Sequence, residues 1–581
     1  METAKDTTIE AFEYGEVSKL DASKPTGDVT LLDAAGHVRR VPTPSSDPND
    51  PLNMHKWRKL GVIVTCCWFS IFSLVLVGGA GPILPVWMKL YAPRGIGSQE
   101  VVNLTTYPSL VMAFGRRLIC QKDNMRIGSF LILPLSIVFG RRPVLLGCCL
   151  LFTGSTIGKR ICFRRHSDGS RADALCSPLI PGAAKSTTYQ AHMACRILQG
   201  VATGATESVL PLIITDISFL NERGLLFGAY WGTQNLINAI FTITVSFLVA
   251  DTTWQWFYWL LLILAVVGTL MVFFIVPETR YYRSPQAIDG QIYHTDEFGV
   301  TQAFSVADAE RLGLPTDASP DEADVPKLSY WQTLQVFYTP APGALKLGLG
   351  TFAKMISAMS SPAVLWAVLA TSISLGVGIS MTLTYGTILT GDFGWSEASV
   401  GLVNHLFFSM FFAGYLGDKL NLFLAKRRGG VHKPEDSLVS LVFPTLVSAI
   451  GIIIYALTAQ RPETHSYWGI VMGWTLYEFG FIVALITATH FAAEAYPQNP
   501  GPALVLVVGL KNVISFGRQH TALDDFESLV NTLSRRLFRH HAHGAQLFGI
   551  FVGIFACGVP VYFLNPKWRE LVSRKQQGWN S

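Results

Sequence analysis

The sequence predicts an all-α integral membrane protein of twelve transmembrane helices arranged as two six-helix repeats. Three observations carry this. Of 581 residues, 50% are hydrophobic and 15% charged, against about 25% charged in an ordinary soluble chain. The apolar residues gather into runs of about 20, the length of helix that crosses a bilayer. The runs fall into two sets of six, separated by the long polar segment 277–342. Two repeats of that kind enclose a site between them.

The elements follow in order. Residues 1–58 are rich in Asp, Thr, Ser and Pro and read as a disordered tail. They carry no cleavable signal, so the tail is expected in the cytosol. The first half, 59–276, holds runs at 60–88, 104–139, 143–157, 190–215, 224–250 and 255–276. A central cytosolic loop, 277–358, ends in an amphipathic stretch at 343–358, which is expected to lie on the membrane surface. The second half, 359–566, holds runs at 361–389, 398–424, 438–458, 468–491, 501–517 and 547–564, and 567–581 form a cytosolic tail.

Charge orients the chain. Arg141-Arg142, Arg223, Lys419 and Lys426-Arg427-Arg428 fall in turns on the side of the N-terminus, while the opposite loops at 250–255, 390–397 and 459–467 hold few basic residues. This is the positive-inside pattern. The net charge of +5 points to no nucleic acid. The nine cysteines show no metal spacing, and Cys66-Cys67 and Cys148-Cys149 lie inside apolar runs as small hydrophobes. No phosphate-binding Gly-rich loop is present, which argues against ATP-driven transport. No catalytic constellation, metal site or cofactor is predicted, and the histidines at His540, His541 and His543 form no ligand set.

Three stretches break the pattern: Arg116–Gly128, Lys159–Gly182 and Arg518–Gln546. Each follows a glycine (Gly115, Gly158, Gly517) and brings charges to a span or an outer loop. Joining Gly115 to Ser129 would make Tyr107–Phe139 one uncharged helix. Translated introns or a shifted frame account for them; lineage-specific loops are the plainer alternative.

Four motifs then converge: Asp50-Pro51-Leu52-Asn53 ahead of Trp57, Gly140-Arg141-Arg142-Pro143, Arg196-Ile197-Leu198-Gln199-Gly200, and Pro277-Glu278-Thr279-Arg280. In these the chain resembles the major facilitator superfamily, in its fungal drug:proton antiporter-like branch, over essentially residues 47–570. The resemblance implies the major facilitator fold, a gating loop at Gly140, Arg141 and Arg142, and a proton-coupling role for Arg196. Two departures stand out. The family's acid three residues before Gly140, and its glycine four before that, are here Ile137 and Leu133, so the charge pair of that loop reads as incomplete. The antiporter Gly-Pro motif is absent from the fifth span, which reads Gly232 to Asn238 as Gly-Thr-Gln-Asn-Leu-Ile-Asn.

The candidate site is built from polar residues at membrane depth, where ionisable groups cost about 2.5–3.5 kcal/mol to insert and face a partner or cavity. Arg196 and Glu207 are 11 residues apart, about three helical turns, and so share a face of the fourth span. Glu207 could load a proton; the alternative is a structural tie to a neighbouring helix. Tyr230, Gln234 and Asn238 repeat every four residues and form a polar stripe for substrate or for interhelical bonds. Tyr385 is a cavity aromatic or a packing residue. Glu478 is a second intramembrane acid, suited to a protonatable or cationic substrate. Lys511 reads as a snorkelling lysine, the alternative being the intended partner of the acid missing near Ile137; His405 reads as a core residue before a proton relay, and His490 with Glu494 as interfacial. Asn103-Leu104-Thr105 is the usable glycosylation sequon, in the first outer loop.

The expectation is a monomeric secondary transporter of the plasma membrane, no enzyme, with a small organic molecule, protons and the lipid bilayer as partners. Export of drugs or secondary metabolites by proton antiport leads. Uptake of a cationic nutrient such as a polyamine is the alternative. A non-transporting sensor, or an inactive product of a faulty reading frame, belongs to another class.

Overall fold

A computed structural model describes residues 29–30, 44–45, 47–78, 83–113, 129–157, 189–251, 253–281, 286–288, 291–295, 301–305, 326–336, 344–396, 399–403, 417–428, 431–496, 500–524, 549 and 551–579. His405, the histidines at 540–543 and most of the three charged stretches lie outside the described residues.

The first half contains α1 (Lys56–Gly78), α2 (Leu84–Tyr91), α3 (Ser98–Ala113), α4 (Ser129–Phe139), α5 (Arg141–Ile157), α6 (Tyr189–Ile217), α7 (Leu220–Asp251) and α8 (Gln255–Ile275). Next come α9 (Ala344–Ala358), α10 (Pro362–Gly391), α11 (Gly417–Arg427), α12 (Val442–Gln460), α13 (Trp468–Ala495), α14 (Pro500–Asp524) and α15 (Gly558–Trp579). Among the described residues six helices are long and apolar enough to cross a membrane, at Lys56–Leu76, Tyr189–Ile217, Gln255–Ile275, Pro362–Gly391, Asp436–Gln460 and Trp468–Ala495. The protein is therefore a multi-pass membrane protein: backbone in hydrocarbon must satisfy its own hydrogen bonds, and helices do so.

The first half packs around α6. Both α3 and α4 lie along α6 and along α14, as successive parts of one span would. The α3 contact depends on Gly200, where a Cβ would stand 2.6 Å from the Pro108 carbonyl oxygen. Helices α5 and α1 close on α6 and α8. At the end far from Arg141, His192 joins α2 to α8: its ring lies 3.0 Å from the Tyr91 hydroxyl and 2.7 Å from the Tyr258 hydroxyl, with Trp87 and Trp254 against it. In the second half α12 and α13 are the tightest pair, and Ser448 Oγ donates to the Tyr477 carbonyl at 3.0 Å.

The halves meet where α14 crosses α3, α4 and α6, and where α7 meets α13 and the 399–403 turn. Helix α9 adds a contact that the sequence reading did not anticipate: it packs against α4 and α14, burying Thr351, Met355 and Ala358. Leu349 and Ile356 stay exposed on its other face. A 15-residue helix with one apolar stripe looks the same in sequence whether that stripe meets lipid or protein.

Parts of the polar segments carry local structure. Strands β2 (Gln286–Ile288), β3 (Gln291–Thr295) and β4 (Thr301–Ser305) make an antiparallel meander within the central loop, and β1 (Val29–Thr30) pairs with β5 (Val431–His432). In the stretch read as a disordered tail, Asp50 caps the turn Pro51–Asn53 and accepts from Ser45. Tyr281 donates to Asp47 at 2.9 Å, and burial pushes its phenol up to about 12, so it remains a donor at neutral pH.

Candidate functional site

The site begins at the turn between α4 and α5. Gly140 has φ 102, a conformation side chains avoid, and a Cβ there would also collide with the Glu278 carboxylate. That carboxylate caps α5: it accepts from the backbone N–H groups of Arg141 at 2.9 Å and Arg142 at 3.2 Å. An acid at a helix N-terminus satisfies orphan donors and meets the positive end of the dipole. Arg142, fully buried, caps the other polarity. Its guanidinium donates to carbonyls at the end of α8, namely Phe273 at 2.8 Å and Val276. Arg280 does the same for α4, reaching the carbonyls of Ile137 at 2.8 Å and Val138 at 3.2 Å.

Arg141 has an acid partner after all. Its Nε stands 3.5 Å from Asp216 Oδ2 at the end of α6, and Thr279 Oγ1 donates to the same oxygen at 3.0 Å. The charge pair that reads as incomplete at Ile137 is thus completed from a different span. A lone acid at the end of the fourth span was the signal available, and sequence reasoning passed over it.

Deeper in the membrane-spanning region, Glu207 of α6 and Lys511 of α14 form an ion pair at 2.8 Å. Asn512 Nδ2 donates to the second carboxylate oxygen at 2.6 Å. All three are buried. Lys511 therefore does not snorkel; it spends its charge on an acid of the other half. A buried lysine this far from a helix end cannot reach the interface, so it needs a counter-charge.

Arg196 takes a separate path. Its Nε donates to the Leu104 carbonyl at 2.8 Å and its Nη1 to that of Leu76 at 2.6 Å, with the Trp87 ring beneath it. Arg196 and Glu207 share a helix, but their partners do not connect: Arg196 ties α6 to α1 and α3 within one half. Tyr230 donates to the Thr206 carbonyl at 2.9 Å, one residue from Glu207. Gln234 Nε2 reaches the Ser70 carbonyl at 3.5 Å, while Gln234 Oε1 and Asn238 Oδ1 are buried and have no partner among the described residues. Tyr385 is buried with its ring 5.5 Å from that of Trp474. Glu478 is half-buried and makes no hydrogen bond or ion pair among the described residues. His490 stands 3.5 Å from Glu494 and packs its ring on Phe227 of α7. It thereby makes a contact between the halves.

Asn103 is not in a loop. It lies inside α3, where Leu104 is buried and its carbonyl is held by Arg196. A continuous helix accounts for this, and it removes the exposed turn expected around the sequon.

In the second half, loop and terminal helix are joined by a cluster the sequence reading missed. Glu435 accepts from Asn565 at 2.7 Å and from Arg569 at 2.9 Å, both on α15, and Asp436 pairs with Arg428.

This arrangement is that of two helical halves joined by a deep ion pair. The sequence profile of the Major Facilitator Superfamily matches residues 125–516. The chain belongs to the major facilitator superfamily. It resembles an uncharacterized MFS-type transporter of Schizosaccharomyces pombe, 23% identical over 521 residues, covering 84% of this chain and 82% of that protein. The MFS-type transporter paaT of Penicillium rubens is 22% identical over 526 residues, covering 89% and 80%. An efflux pump of Fusarium oxysporum, FUBT, is 22% identical over 321 residues, 54% of this chain and 48% of its own. Among solved structures the proton:xylose symporter XylE superposes with a TM-score of 0.52 at 12% identity, covering 88% of this chain and 96% of XylE. That likeness concerns fold alone. This member of the superfamily is a transporter and not an enzyme.

Proposed function

We propose that this transporter exports a small organic molecule across the fungal plasma membrane in exchange for protons, working as a monomer with its basic loops in the cytosol. The Glu207–Lys511–Asn512 cluster carries the reading, because it spans the two halves at depth. Protonation of Glu207 removes the charge that holds Lys511. The halves can then rearrange around the midplane, which is the motion alternating access requires. The Arg141–Asp216 and Glu278 contacts hold the ends of α4, α5, α6 and α8 together, so the first half moves as one body. Relatives named as efflux pumps support the direction.

Reconstituted transporter with a pH gradient of either sign tests this. Cargo flux should run against the proton gradient, and Glu207→Gln should uncouple the two. Flux indifferent to the gradient in the wild type would overturn the reading. Uptake of a cationic nutrient is the second reading, favoured by the Glu478 carboxylate, which has no partner among the described residues.

A further inference from the structure

We infer that the space between α7 and α13 binds an organic cation carrying N–H donors, a protonated amine, with Glu478 as counter-ion and the Asn238 and Gln234 side-chain oxygens as acceptors. The inference rests on the transporter reading above and names the class of its cargo.

Depth comes first. Phe227 of α7 and His490 of α13 are in ring contact, 6.5 Å between centroids. The two helices run antiparallel from that point in the expected topology. Asn238 is eleven residues further along α7 and Glu478 twelve residues back along α13. At 1.5 Å per residue both lie about 17–18 Å from the contact, at one level. Eleven residues are also close to three whole turns, so Asn238 shares the face of α7 that Phe227 presents to α13; twelve are three and a third, so Glu478 is turned about a third of a turn from His490, toward the side where Trp474 meets Tyr385 of α10.

Orientation comes second. Val471, Trp474, Ile482 and Leu485 lie four and seven residues from Glu478, so they flank it on one face of α13, and all four are buried. A half-exposed side chain at the centre of a buried face borders space inside the protein and not lipid. The Trp474 ring, one helical turn from Glu478 on the same face of α13, lies against Tyr385 and adds an aromatic pair to that side.

The chemistry is one-sided. Lys511 is already neutralised by Glu207. Arg196 is fully buried and held by backbone carbonyls. At the level of Asn238 and Glu478, well away from Arg223 and His490 at the other end of these helices, the side-chain atoms of α7 and α13 without a hydrogen-bond partner among the described residues are acceptors: the Gln234 and Asn238 oxygens and the Glu478 carboxylate. A buried acceptor without a donor is costly, and an uncompensated carboxylate more so. A ligand that brings a positive charge and N–H groups relieves all three. The aromatic pair adds cation–π attraction. An anion would be repelled by the Glu478 carboxylate.

Binding to purified full-length protein without any gradient separates this inference from the coupling scheme. Three probes are titrated by calorimetry: tryptamine, tetraphenylphosphonium (a cation without N–H groups) and benzoate. Tryptamine should bind tightest and benzoate not at all. Glu478→Gln should weaken tryptamine at least tenfold, with Glu478→Asp recovering part of the loss. Asn238→Leu should weaken tryptamine several-fold and leave tetraphenylphosphonium unchanged. Should Glu478→Gln fail to fold, Glu478→Asp and Asn238→Leu decide alone. Benzoate binding in preference to tryptamine, tryptamine affinity indifferent to position 478, or no tryptamine binding by folded wild type would each overturn the proposal. A failure of proton coupling would leave these results standing.

Discussion

Glu207 and Glu478 are the same residue type, each within a membrane-spanning helix, one in each half. Glu207 is clamped by a lysine and an asparagine from the other half. Glu478 has neither a hydrogen-bond nor an ion-pair partner among the described residues and keeps part of its surface open. The difference teaches that an intramembrane acid is not defined by its depth. A paired acid reports on the relative position of the halves, whereas an unpaired acid beside space is available to a ligand.

The largest expected effect breaks the first member of that comparison. Lys511→Met leaves Glu207 buried without its counter-charge and should cost about 3–5 kcal/mol, read as thermal unfolding of the purified protein. The double substitution Glu207→Gln with Lys511→Met should recover most of that stability, because no charge remains buried alone. It should not recover proton-coupled flux. A double variant as unstable as the single one would mean that the pair is not the main electrostatic contact there.

Gly200→Ala comes next, and it tests whether the α6 scaffold under Glu207 is as tight as described. Its Cβ would press on the Pro108 backbone, and overpacking of this kind costs about 1–3 kcal/mol. An unchanged unfolding midpoint would show that α3 and α6 are further apart. Gly140→Ala should be destabilising by a similar ~1–3 kcal/mol through its positive φ, with transport reduced as the α4–α5 turn loosens. The smallest effect sharpens the comparison. Glu478→Gln removes no internal bond and relieves an uncompensated carboxylate, so the unfolding midpoint should hold or rise slightly. A strong destabilisation there would mean that Glu478 has a structural partner and that the two acids are alike.

Much of this was legible in sequence, and the misses share a cause. The spans, the Gly140–Arg142 turn and the common face of Arg196 and Glu207 follow from local periodicity and spacing. Where the reading went wrong, the deciding neighbour was remote. Lys511 was read as snorkelling because its acid lies 304 residues away. The loop charge pair was read as broken because its acid is Asp216 and not a residue near Gly140. Asn103 was placed in a loop, although its helix is held by Arg196.

The sequence by itself determined a multi-pass helical protein with two sets of spans, since the length and polarity of apolar runs are set by the bilayer and need no tertiary information, and its motifs carried the resemblance to a transporter family. Only the tertiary structure decided which buried charges neutralise one another. Coulomb energy in a medium of low polarity depends on distance through space, and distance between helices is fixed by packing and not by position along the chain. Hence Arg141, visible at once as a loop marker, acquired its acid from the end of α6, and Glu207 acquired its lysine from the other half.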